Sequence, residues 1–252
     1  MREIVLVDIG NFLDTRIIDK ALVENNFSIM RPYDSIVLET IIDKRKENLI
    51  FLVLYYNFLQ LKWLMPLLSM AQKKGHIVTN IPSNIKLMLD YPKRAKILEK
   101  NGFIVPRYFF GKANEIPKNF SQKVVYKSQR ENLTILCDKN AIHSLNDNIY
   151  IETQILNRSK TIVTVYDIFG YVYVRLKEDA LQTKTKLRQL VNKDDYQYEI
   201  EVAKKIQAMF GLAFYNIEFV NGYIIDVNTI ANFYYTDHKE PLEAMIEYMK
   251  NV

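Results

Sequence analysis

Two carboxylates and an amide, Glu218, Asp226 and Asn228, lie close enough in the chain to share a divalent cation. They sit in Ile217-Glu218-Phe219-Val220-Asn221-Gly222-Tyr223-Ile224-Ile225-Asp226-Val227-Asn228, which reads as two apolar strands around an Asn-Gly turn. Carboxylate and amide oxygens are hard ligands suited to Mg²⁺, which keeps several waters and takes its other ligands from substrate phosphates. Side chains on a strand alternate faces. Ile217, Phe219, Tyr223, Ile225 and Val227 therefore share one apolar face only if Glu218, Asp226 and Asn228 share the other. That parity predicts a three-residue loop with a Gly bulge. A two-residue turn would pair Glu218 with Ile225 and push a carboxylate into the apolar face. An edge hairpin with its polar face in water has the same pattern, so the rest of the chain must decide.

Composition narrows the classes. With 252 residues, 49% hydrophobic and 25% charged, the chain can bury a large core in one large domain or in two to three compact ones. The net charge of +5, from 34 basic and 29 acidic residues, is too mild to mark a nucleic-acid-binding protein. The local basic groups are Lys93, Arg94, Lys96 and Lys100, then Lys184, Lys186 and Arg188. The first set shares a helix with Ala95, Ile97 and Leu98, and so reads as a solvated face, with contact to nucleotide phosphates as the alternative. A single cysteine, Cys137, excludes an internal disulfide and a Cys-based zinc site and points to a reducing compartment. Met1-Arg2-Glu3 precedes only a short apolar run, which gives no signal peptide and makes the cytoplasm the expected location. Residues 49–70 carry one charge, Lys62, yet Asn57, Gln60, Pro66 and Ser69 interrupt them. A buried strand at 49–55 and a helix at 58–74 closed by Gly75 are expected there, rather than a membrane span. The same apolar segment could serve a homo-oligomer. His76, His143 and His238 lack metal-ligand spacing, and no Gly-x-Gly-x-x-Gly, Walker loop or Gly-x-Ser-x-Gly elbow occurs.

The elements that must position the acidic hairpin change character along the chain. A strand at 3–8 and a helix at 12–24, the pair at 49–75 and a strand at 76–79 predict a parallel α/β unit. A helix at 91–101 closed by Gly102 follows. Strands at 123–128, 133–138, 149–155, 161–168 and 171–177, the last two joined at Phe169-Gly170, predict antiparallel sheet. A helix at about 195–210, with Val202, Ala203, Ile206, Met209 and Phe210 on one stripe and Gly211 at its end, precedes the hairpin. A helix at 240–250 closes the chain.

Four segments in this order carry a family resemblance. Asn80-Ile81-Pro82-Ser83-Asn84 through Asp90-Tyr91 leads to Gly102-Phe103-Ile104-Val105-Pro106. Lys123-Val124-Val125-Tyr126-Lys127 and Ile149-Tyr150-Ile151-Glu152-Thr153-Gln154-Ile155 come next, and then the acidic hairpin. The arrangement resembles the ATP-grasp superfamily, enzymes that activate a carboxylate as an acyl phosphate and pass it to an amine or similar nucleophile. It is similar to members like those that modify ribosomal protein S6, glutathione synthetase and biotin carboxylase. The resemblance implies an N-terminal parallel α/β domain over 1–90, a small lid over 91–150 and an antiparallel-sheet, metal-bearing α+β domain over 151–252. It implies ATP and Mg²⁺ as cofactors, and a small carboxylate and an amine as substrates. Lys127 would meet a phosphate, as a point charge. Glu152, Gln154 and Ile155 would meet adenine or ribose, and Glu218, Asp226 and Asn228 the metal. Arg175 or Lys177 would meet phosphate or acyl phosphate, only one of the two being expected to point inward.

The chain also departs from the family pattern. Tyr91 stands where the family has a lysine, which leaves Lys93 as the replacement. Ser128-Gln129-Arg130-Glu131-Asn132 has no glycine where the family folds a glycine-rich loop over phosphates, and no glycine lies between Gly111 and Gly170. Thr164 lies near where an arginine is usual. Residues 232–239, with Phe233, Tyr234, Tyr235 and His238, could line a substrate pocket. An ATP-dependent carboxylate–amine ligase is the leading expectation. A catalytically silent nucleotide-binding or scaffold subunit is the rival that the missing glycines favour.

Overall fold

The computed structural model describes residues 2–8, 15–44, 48–55, 60–128, 133–142, 144–145, 147–155, 161–178, 188–229 and 239–252. Gln129 to Asn132, His143, Lys184, Lys186 and nearly all of the 232–239 stretch are not among them, so the expectations placed on those residues lie outside the described ones.

The N-terminal part is a parallel sheet of β1 (Arg2–Asp8), β2 (Phe27–Met30), β3 (Ile50–Tyr55) and β4 (Ile77–Thr79), in the order β2-β1-β3-β4. Alternation on β1 divides its two cores. Ile4 and Leu6 face α1 (Thr15–Glu24) and α7 (Lys239–Asn251), while Val5 and Val7 face α2 (Ser35–Lys44) and α3 (Leu61–Lys73). The expected strands and helices are present, but β2 and α2 were not read from the sequence. β2 has four residues of which only Phe27 is fully buried, too short to display a period of two.

Two short helices, α4 (Pro82–Leu89) and α5 (Tyr91–Lys100), lead out of this unit. The Asp90 carboxylate caps α5 by accepting from the Lys93 N–H at 3.1 Å. Gly102 ends the helix with φ of +81°, in the left-handed region.

An antiparallel middle sheet follows in the order β5-β8-β6-β7, from β5 (Tyr108–Lys112), β6 (Lys123–Ser128), β7 (Leu133–Asp138) and β8 (Asn148–Thr153). The C-terminal sheet is also antiparallel, in the order β11-β10-β9-β12-β13, from β9 (Thr161–Ile168), β10 (Tyr171–Glu178), β11 (Arg188–Val191), β12 (Phe214–Val220) and β13 (Tyr223–Asn228). Helix α6 (Gln197–Phe210) covers one face of it, with Ile200, Ala203, Ile206 and Phe210 packed on Val165, Val174, Ile217 and Phe219. Tyr166, Ile168, Tyr173 and Phe214 at the end of the opposite face join the α7 core, which ties the C-terminal sheet to the N-terminal one. Asn80 adds a polar tie: its Nδ2 donates to the Phe214 carbonyl at 2.8 Å and its Oδ1 accepts from the Ala213 N–H at 2.7 Å. Among the described residues, no helix is long and apolar enough to cross a membrane.

The acidic hairpin reaches the expected parity by another route. Val220 pairs with Tyr223, so the loop is the two-residue Asn221-Gly222 turn, with φ of +49° and +80°. Phe219 then pairs with Ile224 but Glu218 pairs with Asp226, which leaves Ile225 as the extra residue of a β-bulge. The buried face is accordingly Ile217, Phe219, Ile224 and Val227, not one that includes Tyr223 and Ile225.

Candidate functional site

Register places the polar residues in rows. Arg175 on β10 pairs with Thr164 on β9, Thr164 with Glu218 on β12, and Glu218 with Asp226 on β13. Directly opposed residues share a face, so these four form one row across four strands, on the face away from α6. Asn216 and Asn228 pair in the neighbouring row. Lys177 lies two residues from Arg175 and so on the same face, and it holds the Glu218 carboxylate. The expectation that only one of the two cations points inward is therefore corrected. Residues two apart on a regular strand cannot face oppositely.

The middle sheet supplies the facing wall. Lys127 pairs with Tyr150, and Glu152 with Val125 and Tyr108, so their side chains project from one face. Lys127 Nζ lies 2.8 Å from Glu152 Oε2, both side chains under 10% exposed. It also donates to the Ile225 carbonyl at 2.5 Å, linking β6 to β13 across the cleft. A bulge leaves its extra residue out of the ladder, so the feature that restores hairpin parity also presents the carbonyl that Lys127 meets. The Tyr150 hydroxyl donates to Glu152 Oε1 at 2.9 Å, and Tyr150 packs on Tyr91 with centroids 5.6 Å apart. Gln154 and Ile155 follow β8, half-buried.

The third wall was not foreseen. Arg94 on α5 is buried. Its Nη1 donates to the carbonyls of Met88 and Val227, each at 2.8 Å, and its Nη2 reaches Asp226 Oδ1 at 2.9 Å. The guanidinium also lies over the Tyr91 ring, 4.9 Å from the centroid. The sequence signal was available: Arg94 stands four residues before Leu98 and so belongs to the buried stripe of α5 rather than to a solvated face. Lys93, the replacement expected for a lysine at Tyr91, is exposed. Tyr91 and Thr164, noted in the sequence as departures from the family pattern, are site neighbours too, and Tyr150 and Asn216 are neighbours that sequence reasoning gave no role.

Electrostatics follow from this packing. Burial alone would raise the Asp226 pKa, but the charges of Arg94 and Lys127, the Asn228 amide and Lys177 outweigh it and hold the carboxyl below its ordinary value. Burial, reinforced by Asp226, pushes the Tyr91 phenol up to about 12, so it stays a neutral hydroxyl. Tyr150 moves up for the same reason, with Glu152 adding to burial.

The donor set can be weighed against magnesium. Asn228 gives Nδ2 to Asn216 Oδ1 at 3.2 Å and to Asp226 Oδ2 at 3.1 Å, which leaves its own Oδ1 as an acceptor. Asp226 Oδ1 is taken by Arg94 and by the Val227 N–H, while Oδ2 accepts only from Asn228 among the described residues and so has the more room for a cation. Glu218 is held by Lys177, so its carboxylate would be open to a metal only once Lys177 had moved off it. Among the described residues, no group of three His, Cys, Asp or Glu could hold a metal alone. This chemistry fits a magnesium that takes most of its ligands from phosphate and water, not an all-protein cage.

No protein-family model matches the chain, and no curated protein matches its sequence. Solved structures do match. An ATP-grasp ligase associated with ribosomally made, modified peptides from Chryseobacterium gregarium, in complex with ADP and a leader and core peptide, aligns over 100% of this chain and 97% of its own, at a TM-score of 0.68 and 11% identity. N5-carboxyaminoimidazole ribonucleotide synthetase from Thermotoga maritima aligns over 100% of this chain and 76% of its own, at 0.72 and 15%. D-alanine–D-alanine ligase from Bacillus anthracis, complexed with ATP, aligns over 100% and 97%, at 0.70 and 11%. At such identities the likeness is one of fold, and the chain has the ATP-grasp fold.

Proposed function

We propose that this protein is an ATP-dependent ligase whose nucleotide lies between the middle and C-terminal sheets, the middle sheet serving as lid. The observation that carries the reading is the meeting of Lys127 and Glu152 with the β13 bulge, directly beside the row Arg175, Thr164, Glu218 and Asp226. ADP and ATP accompany two of the similar structures, which supports a nucleotide in the corresponding cleft here. Lys127 would turn from Glu152 to a phosphate, freeing Glu152 for the adenine amino group or a ribose hydroxyl near Gln154 and Ile155. Glu218, Asp226 and Asn228 would hold Mg²⁺, which when bound neutralises phosphate charge. Lys177, released from Glu218, and Arg175 would meet the transferred phosphoryl group. A substrate carboxylate would take the γ-phosphoryl with loss of ADP. An amine would then displace phosphate from the acyl carbon and lose a proton, so that an amide forms. Positioning and fixed charge are what the chain contributes.

A second reading, a nucleotide-binding module without turnover, is favoured by one feature. All three carboxylates of the cleft already have a protein cation: Lys127 on Glu152, Lys177 on Glu218 and Arg94 on Asp226. The test is ADP release with Mg²⁺ against amino acids, short peptides and small organic acids, each paired with ammonia or an amino acid. Release that requires a carboxylate, and that is lost in Lys127→Met, supports the ligase. Binding of nucleotide without release from any pair supports the silent module.

A further inference from the structure

A cavity of about 590 Å³ is lined by Tyr91 and Tyr150, between helices α3, α4 and α5 and the face of the middle sheet that carries Lys127. Its size lies within the range of small-molecule sites. It shares Tyr91, Lys127 and Tyr150 with the ionic cluster, so a ligand inside it would lie next to the nucleotide cleft. The helical wall is apolar, with Leu61, Met65 and Leu89, and the sheet wall presents Phe110, which is 53% exposed. An aromatic ring this exposed, facing a cavity, is a surface that an apolar ligand body would cover.

The charges at the cavity are asymmetric. Asp90 caps α5 and keeps its negative charge, while Lys127 is paired with Glu152 and donates to the Ile225 carbonyl. Lys62 and Lys86 line the cavity, are exposed, and have no ion-pair partner among the described residues. Asp90 offsets one of these two lysines, so the net charge of the lining is positive, while much of the rest is apolar and aromatic. We infer that this cavity holds the carboxylate-bearing substrate, an organic acid or peptide end with an aromatic or apolar body, admitted past Lys62 and Lys86. The assignment rests on the ligase reading for the fate of the carboxylate, but the site itself can be tested apart from turnover.

The probes are benzoate, indole-3-acetate and N-acetyl-phenylalanine, each with its carboxamide, observed by saturation-transfer NMR with the full chain in the presence of MgADP. The acids are expected to bind, and the amides to bind about tenfold more weakly, as is the Lys62→Glu/Lys86→Glu variant toward the acids. MgADP binding in that variant is expected to be unchanged, since neither lysine belongs to the nucleotide cleft, and it serves as the check on folding. Leu61→Trp, filling the space, is expected to reduce acid and amide alike. Equal binding of acids and amides, acid binding insensitive to both variants, or no acid binding to a protein that binds MgADP would each overturn the assignment. Acid binding with the expected variant pattern but no MgADP binding would leave the cavity standing and remove the ligase reading.

Discussion

Arg94 is the best single perturbation because it is both a brace and a charge. Its guanidinium joins the Met88 carbonyl, at the end of α4, to the Val227 carbonyl and the Asp226 carboxylate on β13. Arg94→Met keeps most of the apolar stem and removes all three contacts. Breaking a fully buried pair costs about 3–5 kcal/mol, because the remaining charge is stranded. The Asp226 side chain is 28% exposed, so water recovers part of that, leaving about 2–3 kcal/mol. Two carbonyls deprived of a donor add about 1 kcal/mol each. The expected loss is about 4–5 kcal/mol, equivalent to roughly 8–20 °C in Tm for a chain of this size. The assay is urea and thermal unfolding of wild type, Arg94→Met, Asp226→Asn and the double variant without nucleotide. Because the stranded charge is absent in the double variant, its loss should fall at least ~1 kcal/mol short of the sum of the singles. An Arg94→Met protein within ~1 kcal/mol of wild type, or strict additivity, would refute the reasoning.

Other consequences can be checked alongside. His76 is buried, its Nδ1 accepts from the Leu49 N–H at 3.2 Å, and burial holds its pKa below the ordinary 6.5. The unfolded chain therefore takes up this proton first, so stability is full above 6.5 and falls as the pH drops below it. His76→Asn, which retains an acceptor, should show a smaller loss than wild type in urea unfolding between neutral and mildly acidic pH. An equal loss would remove His76 as the cause. Asn80→Ala removes both ties to β12 and should cost about 3 kcal/mol in the same assay; a neutral result would mean that water replaces them. Gly222→Ala has open space around its new Cβ, so its cost is backbone strain at φ of +80°, about 1–2 kcal/mol, with the hairpin register kept. A larger loss, or altered amide exchange along β13, would contradict a purely local effect.

Much of the architecture was legible because it depends on patterns of adequate length. The apolar runs at β1 and β3 and the stripe on α6 decide their own elements, and an unbroken apolar face on the hairpin required Glu218 and Asp226 to share a wall, which excluded a plain two-residue turn without a bulge. What parity could not reveal was the device. A bulge at Ile225 and a three-residue loop satisfy the same alternation, and the choice between them fixes which carbonyl Lys127 meets. Arg94 was misread since a cation on an apolar stripe looks like one more solvated charge until β13 is known to lie against it. The joint inward facing of Arg175 and Lys177 needed only strand geometry. The pairing of each carboxylate with its own cation joins β6 to β8, β10 to β12 and α5 to β13, and no local window of sequence contains it.

The most direct test of a nucleotide cleft between the two sheets is thermal unfolding with and without MgADP and MgATP, in wild type and in Lys127→Met. A ligand at a hundred times its Kd stabilises by about 2.7 kcal/mol, or roughly 5–11 °C here. That rise in wild type, with most of it lost in Lys127→Met, is the predicted result. No rise with either nucleotide in wild type, or an undiminished rise in the variant, would contradict it.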